Sequence, residues 1–205
     1  MLKDASAETK LFREFEYLSP MSQYNKAQGY FDCSKDFGGQ ARCKEDVKFL
    51  DEDFSLALKF SDQKLQTVVL VAEFNKNLYT KVFGAISQSF QLIAMRDKTN
   101  LFDILETRGQ VSDTRKFTDM VSKFESEAMI QGKLSYYFIE EKPQALAKFK
   151  SAIQAEREAG LNARTVEMIL YEDDEDVLLV LEFSLPRRDM KTMQENLQNV
   201  KKEKF

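Results

Sequence analysis

The sequence predicts an α+β fold, a mostly antiparallel sheet with helices packed on one face. Three observations carry that prediction. A strand–turn–strand–helix pattern occurs twice: Leu56–Phe60, Val68–Phe74 and an amphipathic stretch Leu78–Phe90, then Val166–Tyr171, Val177–Phe183 and Met190–Val200. The second strands of the two units share spelling, Leu70-Val71-Ala72-Glu73-Phe74 against Leu179-Val180-Leu181-Glu182-Phe183, which raises an internal duplication of a strand–strand–helix unit as an expectation. Only 7 Gly and 3 Pro interrupt 205 residues, so the chain has the composition of long regular elements.

Along the chain, Leu11, Phe12, Phe15 and Leu18 recur at helical spacing and predict a helix over residues 4–18, closed by Ser19-Pro20. Tyr30–Cys33 and Ala41–Leu50 flank Gly38-Gly39 and read as a hairpin or an ordered loop. Strands Phe54–Phe60 and Thr67–Phe74 follow, joined by the polar turn Ser61-Asp62-Gln63-Lys64. The next helix, Asn77–Ser89, aligns Leu78, Val82, Ala85 and Ile86. Leu92–Met95 and Leu101–Leu105 read as short strands. A long helix starts at the cap Ser112-Asp113, aligns Phe117, Met120, Val121, Phe124 and Ala128, and stops at Gly132. Leu134–Ile139 is a strand. Pro143 opens one helix that runs to Gly160, with Leu146, Phe149, Ala152 and Ile153 inward. The second hairpin and the last helix complete the chain. With no Gly-Ser-Pro linker, the expectation is one domain, or two intimately packed similar halves over about 28–130 and 131–205.

Composition narrows the chemistry. Apolar residues make up 43% and charged residues 31%, enough for a sizeable core. The net charge is −4, so the general electrostatic footprint of a nucleic-acid binder is missing, and no nucleic-acid partner is expected. No stretch reaches the roughly 20 apolar residues of a membrane span. Histidine is absent, which excludes Ser-His-Asp and Cys-His nucleophile systems and the usual His-containing zinc sites within one chain. Neither a Gly-x-Gly-x-x-Gly turn nor a P-loop occurs. No catalytic residue, cofactor or metal is expected.

Cys33 and Cys43 are the only cysteines, and Gly38-Gly39 between them lets the chain turn back. A disulfide over this spacing contributes roughly 2–3 kcal/mol by restricting the unfolded chain, and suits a protein of an oxidising compartment. The start Met1–Glu8 is polar and is not a signal peptide, which fits a mature periplasmic or secreted form, or a cytoplasmic protein. Glu172–Asp176 is a run of five carboxylates at a hairpin tip. It lacks EF-hand spacing and reads as a solvated turn that guards strand edges. Glu73 and Glu182 hold matching places in the repeated strands, where a carboxylate pair for acid–base work is weighed against two solvent-facing positions; the latter is favoured. Arg187, Arg188 and Lys191 open the last helix, where cations oppose the helix dipole, and are candidate contacts for an acidic partner. Tyr136-Tyr137-Phe138 is either core or the lining of an apolar groove.

These readings combine into a non-enzymatic binding or structural protein, exported and stapled by Cys33–Cys43, that holds a protein or apolar ligand on its sheet and helix surfaces. Its partner is a protein or a second copy of itself. One alternative is a cytosolic acidic chaperone or adaptor; another is a carboxylate- or Lys-dependent enzyme.

Overall fold

The computed structural model describes residues 9–173 and 176–200, with side chains to residue 195. The chain begins with two short strands, β1 (Lys10–Phe12) and β2 (Phe15–Glu16), paired with each other. After 3-10 turns at Met21–Gln23 and Lys26–Gln28 come β3 (Phe31–Asp32), β4 (Ala41–Phe49), β5 (Glu52–Ser61) and β6 (Lys64–Glu73). Helix α1 (Lys76–Ser87) leads to β7 (Gln91–Arg96), β8 (Leu101–Asp103), α2 (Ile104–Gln110) and α3 (Thr114–Ile130). Then follow β9 (Lys133–Ile139), α4 (Pro143–Leu146), α5 (Ala152–Glu158), β10 (Thr165–Asp173), β11 (Asp176–Ser184) and α6 (Pro186–Val200).

Strands β3 to β11 form one antiparallel sheet in the order β3-β4-β5-β6-β11-β10-β9-β7-β8. Hairpins β5–β6 and β10–β11 meet at its centre through their second strands. Val71 sits opposite Val180 and Leu70 opposite Leu181, so the two similarly spelled strands run against each other about that pair. The boundary near residue 130 does not separate two sheets: β7 and β8 lie beyond β9, on the far side of the second hairpin.

Alternation splits the sheet side chains between two faces, broken in β7 by a register shift at Leu92/Ala94 that leaves Ile93 and Ala94 on the same side. The first face holds the main core. Leu56, Leu58, Leu70, Met168, Leu179 and Leu181 are all at most 1% exposed and pack with Leu78, Val82 and Ile86 of α1 and Ala128 of α3. The second face carries Ile93, Ala94 and Ile139, which pack against Ala152 and Ala155 of α5 and Phe149 just before it. Helices therefore lie on both faces of this α+β sheet rather than on one.

The expected helix over residues 4–18 is a second correction. Residues 4–8 fall outside the described residues, and residues 10–16 form the β1–β2 pair. Arg13 and Leu18 take left-handed φ values of 47° and 65°, which break a helix. The backbone also finds partners in the sheet: the Leu18 amide donates to the Leu65 carbonyl at 2.8 Å. Leu11, Phe12 and Phe15 are buried, and the Phe12 ring lies 4.7 Å from Phe183. Their helical spacing is thus met by a tight turn that aims the same side chains into the first-face core.

Two further elements differ from the reading of the sequence. The stretch Leu101–Leu105 splits into β8 and the start of α2, because Asp103 caps a helix through the Glu106 amide at 3.0 Å. The helix expected from Pro143 to Gly160 breaks in two. Ser151 takes an extended conformation and caps α5, so Ile153 turns outward and is 51% exposed.

The last helix is fastened at its start. The Tyr17 hydroxyl donates to Asp189 Oδ1 at 2.6 Å. Burial pushes the Asp189 carboxyl above its ordinary pKa, and the Tyr17 bond only partly opposes this. A carboxyl raised in the folded state stabilises fully below its unfolded pKa of about 4, and that contribution is lost as pH rises through the folded value. Asp189→Asn therefore flattens the decline in stability between those two values, read as urea midpoints across a pH series; an unchanged slope would contradict this assignment.

Candidate functional site

Alternation places β9, β10 and β11 side chains in transverse rows on the second face. One row sets Tyr137, Glu167 and Glu182 directly beside one another, Glu167 facing Tyr137 on one side and Glu182 on the other. The row behind it carries Ile139, Thr165 and Ser184, with the Thr165 and Ser184 hydroxyls 2.8 Å apart. The row in front carries Ser135, Ile169 and Val180, and Val71 of β6 continues it. Directly opposed Cβ atoms in such rows lie about 4.5–5.5 Å apart.

Helix α5 roofs one end of these rows. Its small inward residues, Ala152 and Ala155, allow close approach to Ile93 and Ala94. Asp103 fixes its position: Oδ1 accepts from the Glu106 amide of α2 at 3.0 Å, and Oδ2 accepts from the Ala152 amide of α5 at 2.7 Å. One carboxylate thus caps two helices and ties the roof to the sheet edge.

Between α5 and the sheet lies a cleft of about 190 Å³. Leu101 and Ile153, 40% and 51% exposed, stand among its lining residues. Glu156 of α5 joins Glu167 and Glu182 in lining it, and Arg96 is the only lining cation. The Arg96 guanidinium lies over the Tyr137 ring at 5.5 Å from its centroid. Burial pushes the Tyr137 hydroxyl well above its ordinary pKa, and Glu167 reinforces the shift. Desolvation likewise pushes the Glu156 carboxyl up, against the pull of Arg157 and Arg96.

Beyond the cleft, among the described residues, no helix packs on the same face. Val71, Ile169, Tyr171 and Leu178 are half-buried there, around the buried Val69 and Val180. The far side of this strip is closed by the segment between Cys33 and Cys43. Those sulfurs are bonded, and both cysteines are buried on Ala41, Ala57 and Val69, with Phe37 beside them. The staple expected from the spacing therefore also makes one wall of the apolar strip.

The other candidates distribute as follows. Glu73 and Glu182 are not brought together: Glu73 faces Leu178 and Glu182 faces Val69, four positions along the ladder, or about 13 Å. Glu182 instead adjoins Glu167, which pattern reading passed over; its signal is a lone charge inside the apolar run Val166–Leu170. Tyr136 and Phe138 join the first-face core around Phe83; Tyr137 lines the cleft, and Phe138 also borders it. Arg187 donates to the Ala159 carbonyl at 2.6 Å and Arg188 to Asn162 Oδ1 at 2.8 Å, which pins α6 to the turn after α5. Lys191 lies 3.8 Å from Glu195. Of the acidic turn, Asp174 and Glu175 lie outside the described residues, and Asp173 faces Asp176. Among the described residues no helix is long and apolar enough to cross a membrane.

Comparison with protein families, with characterised proteins and with solved structures gives no match for this chain.

Because Asp103 helps hold α5 in place, Asp103→Ala should lower global stability by about 1–3 kcal/mol, through loss of the α2 cap and of the Asp103 bond that supplements the Ser151 cap on α5. Hydrogen exchange should rise first in α2 and α5. Equal protection of α5 in the variant would show that apolar packing alone seats the roof.

Proposed function

We propose that this protein works by binding, and that its binding surface is the second face of the sheet between α5 and the Cys33–Cys43 segment. The observation that carries this reading is the half-covered apolar strip Val71, Ile169, Tyr171 and Leu178, on a sheet whose first face is fully packed. Buried sheet normally shields such residues, and contiguous exposed apolar surface marks an interaction site. The strip is framed on two sides, which suits an elongated protein segment or another apolar ligand laid across the strands. A rigid floor of paired strands holds the geometry without rearrangement.

The bridged cysteines support a compartment that is oxidising, periplasmic or extracellular. Protein from its native source, alkylated before and after reduction, should take up two alkyl groups only after reduction. Uptake without reduction would move the protein to the cytosol and favour a chaperone or adaptor there.

The surface itself is tested with the neutral apolar dye Nile red. Leu178→Lys combined with Val71→Lys should cut dye binding at least five-fold. Ile130→Lys, at an 86% exposed position on α3, should leave it unchanged. Equal losses in both variants, or none in the first, would remove the strip as the binding surface.

A further inference from the structure

The cleft under α5 holds charge that its own lining does not neutralise. Glu156, Glu167 and Glu182 reach it, against the single guanidinium of Arg96. Among the described residues no ion pair joins Arg96 to any of the three, and its guanidinium sits over Tyr137 instead. Lys59, on β5 and outside the cleft lining, pairs with Glu182 at 3.8 Å, so among the described residues it is Glu156 and Glu167 that no ion pair reaches. Glu167 and Glu182 are direct cross-strand neighbours, an arrangement of like charges that weakens a sheet. Apolar or hydroxyl pairs fill the rows in front and behind, so the sheet has no structural need for two carboxylates here. A sequence choice that opposes local stability points to a demand from elsewhere.

Shape selects the kind of cation. About 190 Å³ is below the several hundred cubic ångströms of a pocket that takes a whole small ligand, so the cleft fits one group of something larger. Leu101 and Ile153 among its walls offer contact to methylenes. The paired carboxylates below offer two acceptors side by side, the arrangement that a planar guanidinium or an ammonium fills best. The floor then runs on without interruption: two residues along β10 and β11 from Glu167 and Glu182 stand Ile169 and Val180 of the apolar strip. A chain that places a cation in the cleft is carried directly onto that strip.

We propose that the cleft is an anchor subsite for an arginine or lysine side chain of an apolar protein segment that lies across the second face. This rests on the binding function assigned to that face and adds the chemistry of the occupant. The cation relieves the repulsion between Glu167 and Glu182, its stem covers Leu101 and Ile153, and the neighbouring apolar residues of the segment cover Ile169, Val180 and Val71. Specificity follows from the same arrangement, because an acidic or neutral residue at that position leaves Glu167 without a cation.

The test is an NMR titration of the isotope-labelled, oxidised protein with a capped hexapeptide of leucine and valine containing one arginine, and with the same peptide carrying citrulline, its neutral isostere. The arginine peptide should shift the amides of Tyr137, Glu167 and Glu182 and bind at least ten-fold more tightly than the citrulline peptide. Glu167→Gln with Glu182→Gln should remove at least five-fold of that affinity, with thermal melts verifying that the variant folds, and Glu73→Gln should remove none. Equal affinity for the two peptides, with shifts along Val71, Ile169 and Leu178, would overturn the anchor and leave the strip as a binding surface. Absence of shifts on this face from either peptide would overturn both. Tighter binding of dodecylammonium than of the arginine peptide, at the same residues, would overturn a protein segment as the source of the cation.

Discussion

The pairing of β6 with β11 joins the two hairpins into one sheet, and nearly everything else is positioned by it. Each hairpin alone would leave a long apolar edge strand bare. Placed edge to edge, with Leu70 opposite Leu181 and Val71 opposite Val180, each satisfies the backbone groups of the other. The joint also fixes register. A slip of one residue would carry Leu179, Leu181 and Phe183 out of the first-face core and send Val180 and Glu182 inward. The row that sets Glu167 beside Glu182 therefore depends on the same register that keeps the core dry.

How much of this was legible in the sequence follows from the range of the forces involved. Both hairpins, α1, α3 and the Cys33–Cys43 bridge could be read, because period-2 runs, the turn Ser61–Lys64, the Asp113 cap and the spacing of two cysteines are local signals. The N-terminal strands were misread because Leu11, Phe12, Phe15 and Leu18 satisfy a helical period, while their backbone partner, Leu65, is remote in sequence. The break between α4 and α5 carried a local sign, the Ser151 cap, that the apolar period from Leu146 to Ile153 overrode, and the second cap, Asp103 on the Ala152 amide, comes from afar. The turn at Leu50-Asp51 gave no sign either, since both residues adopt left-handed φ without glycine or asparagine. The candidate site was half visible: Glu182 stood out through its match with Glu73, but its true neighbour, Glu167, is set by strand pairing that no local pattern encodes.

The two faces of the sheet are closed in different ways. The first is closed by α1, α3 and the N-terminal strands, with aromatic contacts such as Phe12 on Phe183 sealing its end. The second, among the described residues, is closed at its ends by α5 and by the disulfide segment, each of which packs an apolar cluster and is pinned by specific bonds. Arg187 and Arg188 add to this economy. Cations at the start of a helix are unfavourable by themselves, and here they bind the turn after α5, so that α6 and α5 hold each other at the border of the cleft.

The central joint has a consequence for how the chain is made. Its two strands are separated by more than half the sequence, so on the ribosome the β5–β6 hairpin emerges and waits for β11, one of the last elements synthesised. During that interval the edge of β6 is long, apolar and unpaired, with Val68, Val69, Leu70 and Val71 in succession. Folding is then limited by a late, non-local closure, and the nascent chain is open to misassociation with other strands until its last hairpin arrives.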